Sequence, residues 1–105
     1  METDNSLIDK IKWTIHNSAP NATILLYGSR AKGNATKNSD WDIIILVEKD
    51  PVTPEFENQI TYPLFDLEFE TGEIISPMVY SKKDWASKYQ STPFYQNVIN
   101  DSIKL

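Results

Sequence analysis

Asp40 and Asp42 are two carboxylates separated by one residue, Trp41, at the entrance to an apolar run from Ile43 to Val47. In an extended strand, residues two apart share a face, so the pair aims both carboxylates at one point while Trp41 turns to the other side. Two carboxylates held that close repel one another unless a cation lies between them. Mg²⁺ meets that need, because it takes oxygen ligands and keeps positions for water and substrate phosphates. Upstream, Gly28-Ser29 ends another apolar stretch, and ten residues separate Ser29 from Asp40. A glycine there has no β-carbon and lets the backbone come close to a triphosphate. Ser29 can offer its amide and hydroxyl to phosphate oxygens at the start of a short helix. The cations Arg30, Lys32 and Lys37 fall in the same segment, and Arg30 or Lys32 can add charge-assisted contacts. These types and spacings support metal-assisted handling of a triphosphate.

Positioning the pair requires two strands and the connection between them. Thr23 to Tyr27 reads as a buried strand, and Trp41 to Val47 as a central one, with a polar stretch between them. Before them, Leu7, Ile8, Ile11 and Ile15 recur at helical spacing behind Asn5 and Ser6, which are good N-cap residues. Asn17 to Asn21 closes that helix, and His16 at its end is read as a surface charge without a catalytic role. Thr53 and Pro54 open a short helix carrying Phe56 and Ile60, ended by Pro63. From Leu64 to Glu70 the residues alternate, with Phe65, Leu67 and Phe69 on one face and Asp66, Glu68 and Glu70 on the other. That pattern predicts a strand, turning at Thr71-Gly72 into a hairpin partner from Glu73 to Tyr80. Ser81 with Asp84 opens a helix bearing Trp85 and Tyr89, and Pro93 to Ile103 supplies Phe94, Val98 and Ile99 for packing. The order predicts an α+β fold, a sheet of about four strands backed by helices.

Composition narrows the role. The chain has 105 residues, 40% of them hydrophobic, enough for one core and one domain. It has no cysteine, so disulfides and thiolate metal sites are excluded, and no leader-like segment, so the cytoplasm is the expected compartment. The run Ile43–Val47 is too short for a bilayer, and no membrane role is expected. A net charge of −5 argues against direct binding to nucleic-acid backbones, which draws on clustered Lys and Arg.

Gly28-Ser29, ten residues and Asp40-Trp41-Asp42 together resemble the signature of the DNA-polymerase-β-like nucleotidyltransferase superfamily. The length and element order resemble its minimal nucleotidyltransferase branch. The resemblance implies that residues 1–105 form a single minimal nucleotidyltransferase domain with a mixed-sheet palm. It further implies two Mg²⁺ ions, ATP or another nucleoside triphosphate as substrate, and transfer of a nucleotidyl group, AMP from ATP, with release of pyrophosphate. A third carboxylate is implied on a later strand, where Asp66 is the first choice as metal ligand or general base, Glu68 the second, and Glu70 is read as solvated beside the turn. Members of the branch commonly pair with a helical HEPN protein as antitoxin and toxin, and since no acceptor-binding segment is evident, a protein partner is expected to present the acceptor hydroxyl. Two other readings remain: a nucleotide-binding module without turnover, and an antitoxin acting by steric contact alone.

Overall fold

The two apolar runs become adjacent strands of one four-stranded sheet in the computed structural model, which describes residues 3–105. β1 (Thr23–Tyr27) pairs antiparallel with β2 (Trp41–Val47), with Tyr27 opposite Asp42. β3 (Ile75–Ser81) lies parallel to β2 on its other side, and β4 (Ile103–Lys104) closes the far edge against β1, giving the order β3-β2-β1-β4. The sheet is therefore mixed, as the resemblance implies.

Strand alternation divides the core in two. Trp41, Ile43, Ile45 and Val47 of β2, with Ile24 and Leu26 of β1, pack with Leu7, Ile11 and Ile15 of helix α1 (Thr3–Ser18) and with Ile60, Leu64 and Leu67 of helix α3 (Pro54–Thr71). Ile44 and Leu46 point the other way. They meet Trp85 of α4 (Lys82–Ser87) and Val98 of α5 (Pro93–Asp101), joined by Tyr80, Tyr89, Phe94 and Tyr95. The sheet thus lies between two helical layers, and β2, central as expected, is buried on both faces.

α1 begins at Thr3, so Asn5 and Ser6 fall inside its first turn and not ahead of it; the side chain of Asn5 lies outside the described residues. His16 sits in its last turn, with Nε2 3.2 Å from the Ala22 carbonyl oxygen. Thr53, Ser81 and Thr92 cap α3, α4 and α5, each hydroxyl accepting from a backbone N–H three residues on.

The strand expected over Leu64–Glu70 and its hairpin are not formed. One helix of 18 residues, α3, runs through Pro63 to Thr71, and Gly72 at φ 78° ends it in the left-handed region. Helical spacing wins because Ile60, Leu64 and Leu67 bury one stripe against the sheet, whereas the alternating set puts Phe65 and Phe69 in solvent, 45% and 95% exposed. Pro63 has no N–H for the carbonyl four residues back, that of Gln59. The Ser18 hydroxyl, from the end of α1, donates to that carbonyl at 3.1 Å. With α3 a crossover helix, β3 returns parallel to β2, as a βαβ connection requires. Among the described residues no helix is long and apolar enough to cross a membrane.

Candidate active site

At the end of β1 the chain must turn sharply, and Gly28 does so at φ 78°, ψ −158°, a conformation open in practice only to glycine. A methyl group at this position would also overlap a carboxylate oxygen of Asp42. The backbone of residue 28 and the Asp42 carboxylate are therefore in direct apposition. α2 (Ser29–Lys32) follows as a single helical turn that Gly33 closes in the left-handed region at φ 79°. The Ala31 and Lys32 N–H groups donate to the Gly28 carbonyl at 3.1 and 3.2 Å, and the two amides ahead of them, of Ser29 and Arg30, have no partner within the turn.

Asp40 lies just before β2 and Asp42 within it. Tyr27, Asp42 and Ser76 occupy one row across β1, β2 and β3, on the face shared with Ile44 and Leu46. Ser76 Oγ donates to Asp40 Oδ2 at 3.3 Å, so β3 contributes a hydroxyl beside the pair. The Asp42 carboxyl titrates above the usual aspartate range, first because burial disfavours its charged form and then because Asp40 repels it. A divalent cation would relieve both causes, and two carboxylates beside a glycine turn are a donor set that suits Mg²⁺ bound with a triphosphate.

Trp41 is buried on the opposite face and braces the pair from behind. Its Nε1 donates to Glu73 Oε1 at 3.0 Å, and the Arg30 guanidinium stacks 4.5 Å over its ring. Arg30 also donates to the Ser39 carbonyl at 3.1 Å and meets Glu73 at 3.5 Å, with only 11% of its side chain exposed. It is tied into the loop that delivers Asp40, an arrangement different from the free phosphate contact the sequence suggests. Lys32 is half exposed, 3.6 Å from Asp101 of α5.

The acids proposed for the third carboxylate stand elsewhere. Asp66 lies on α3, in the layer across the sheet from Asp42, lining a groove with Trp13, Asn17 and Pro63. The strand face that recommended it does not exist. Glu68 Oε2 accepts from the Ile75 N–H at 2.7 Å, which anchors the start of β3, and Glu70 borders the seam between α1 and α3. Among the described residues, no three His, Cys, Asp or Glu side chains stand together as a metal site. Ser76 and Glu73 were missed by sequence reasoning, because their places depend on the parallel register of β3, which the hairpin reading hid. A groove of about 680 Å³ on the α1–α3 seam, with Trp13, Leu67 and Glu70 in its lining, shares none of the pair's residues.

The family described as "Polymerase beta, Nucleotidyltransferase" matches residues 9–104. Among solved structures, one described as "Crystal structure of the toxin-antitoxin with AMP-PNP" superposes with a TM-score of 0.59 at 21% identity, covering 91% of this chain and 69% of that one. At that identity the likeness speaks for the fold. No curated protein matches the chain. With nearly its whole length matched and the Gly-Ser and Asp-x-Asp elements meeting at one sheet end, the chain belongs to the polymerase β nucleotidyltransferase family.

Proposed function

We propose that this chain is a Mg²⁺-dependent nucleotidyltransferase that moves AMP from ATP onto a hydroxyl of a protein partner. In this reading, residues 1–105 act as one minimal domain, and the partner is a helical HEPN-type toxin for which the chain is the antitoxin. The observation that carries the reading is the apposition of Gly28 with Asp42, beside Asp40, at the open end of the sheet. Asp40 and Asp42 hold the metal. When bound, Mg²⁺ neutralises charge on the triphosphate as pyrophosphate departs. The Gly28 backbone and the amide and hydroxyl of Ser29 grip the phosphates, which fixes the α-phosphorus for in-line attack. Lys32, the more exposed cation of α2, reaches the phosphates by leaving Asp101, whereas Arg30 acts indirectly by holding the Asp40 loop on Trp41.

A protein acceptor is favoured by the surface of α3. Tyr62, Phe65 and Phe69 are exposed along it, and an apolar patch of this kind marks a protein contact. The same helix carries Glu55, Glu57, Asp66, Glu68 and Glu70 with no Lys or Arg, which disfavours a nucleic-acid acceptor. The AMP-PNP and toxin-antitoxin of the similar structure agree with this reading. The second reading, nucleotide binding without turnover, draws on one observation: β3 has no acid to serve as base.

The test is to incubate the chain with Mg²⁺, labelled ATP and its co-encoded neighbour, and to measure intact mass. A monophosphate added to the neighbour, lost with Asp40→Asn, is the expected result. Efficient labelling of RNA or a small molecule without the neighbour would overturn the protein acceptor, and Mg²⁺–ATP binding with no pyrophosphate released would favour the second reading.

A further inference from the structure

We infer that the site takes a single divalent cation with its triphosphate, and that Ser76 occupies the place where a carboxylate for a second ion would stand. The inference rests on the proposed nucleotide site and concerns its stoichiometry. The parallel register sets Ser76 level with Asp42 on one sheet face, and its hydroxyl donates to Asp40 Oδ2, so Asp40, Asp42 and Ser76 form one cluster. β3 reads Ile-Ser-Pro-Met-Val-Tyr-Ser, with no carboxylate at any position. Nearby acids are engaged: Glu73 with Trp41 and Arg30, and Glu68 with the Ile75 amide.

Charge decides the count. Two divalent ions set about 3.5–4 Å apart need ligands that bridge and flank them, and here Asp40 and Asp42 are the carboxylates available among the described residues around the cluster. One Mg²⁺ is commonly held by one or two carboxylates with phosphate oxygens and water completing its shell. Ser76 brings no charge. Its donated bond restricts the rotation of the Asp40 carboxylate, a positioning role that a carboxylate at 76 would exchange for direct ligation.

The experiment counts Mn²⁺ bound per chain by equilibrium dialysis and electron paramagnetic resonance, with AMP-PNP saturating. Wild type is expected to bind one ion, Ser76→Asp two, and Ser76→Ala one with affinity weaker by about two- to tenfold, the loss of one hydrogen bond. Two ions on wild type would overturn the inference and leave the proposed transferase standing. No ion on wild type would overturn both. One ion on a folded Ser76→Asp would remove Ser76 from the ligand position, and if that variant does not fold, the wild-type count and Ser76→Ala decide.

Discussion

Asp42 is held in a charged state that the fold itself disfavours, since burial and Asp40 both raise its affinity for a proton. Above the unfolded carboxylate range, near pH 3.9, the native state binds more protons than the unfolded one. Stability therefore falls as pH rises toward the raised native value, and beyond it the cost is constant. Asp42→Asn is accordingly expected to raise the Tm of the metal-free protein at neutral pH, with a gain that shrinks as pH falls through the raised native value and is gone below the unfolded carboxylate range. Mg²⁺ with AMP-PNP should stabilise wild type and not the variant; thermal unfolding across pH, with and without both, checks each part. A variant less stable than wild type at neutral pH would show the carboxylate to be a structural partner instead. At this scale the sequence is legible where chemistry is local. Asp40, Asp42, Gly28 and Ser29 reveal themselves by spacing, because a strand and a turn fix them within a few residues. Ser76 and Glu73 do not, since they meet the pair only through strand pairing, and Arg30 is held over an aromatic ring that spacing cannot locate.

α3 shows how a neighbouring element can override a local signal. Pro63 reads as a terminator and the alternation after it as a strand, yet Ile60, Leu64 and Leu67 continue the helical stripe across it, and Ser18 of α1 satisfies the carbonyl that Pro63 leaves open. Ser18→Ala is expected to cost about 0.5–1.5 kcal/mol, the worth of one hydrogen bond, lowering Tm by several degrees for a chain of this size. In a Pro63→Ala background the residue at 63 regains its N–H, so the Ser18→Ala loss should shrink. Equal losses in both backgrounds, measured by thermal or urea unfolding, would show that Ser18 acts elsewhere. The helix and strand content around β1 and β2 is readable because hydrophobic runs and caps are contiguous there. The β3 pairing is not, because one misplaced terminator at Pro63 turns a parallel crossover into a hairpin.

At the scale of the whole molecule, the proposed site lies where two layers part. Trp85, Phe94 and Val98 cover the sheet face over Ile44 and Leu46, and one row further on the cover gives way to Tyr27, Asp42 and Ser76, with Gly28 and Asp40 beside them. The groove beside Trp13, on the opposite layer between α1 and α3, has no glycine turn, and its two carboxylates, Asp9 and Glu70, stand on different helices. The two places make opposite claims about where a nucleotide belongs. A crystal structure with Mg²⁺ and AMP-PNP bound decides between them. The account predicts phosphates against Gly28 and Ser29 with the metal on Asp40 and Asp42. A nucleotide lodged in the Trp13 groove, with Asp40 and Asp42 free of metal, would contradict it.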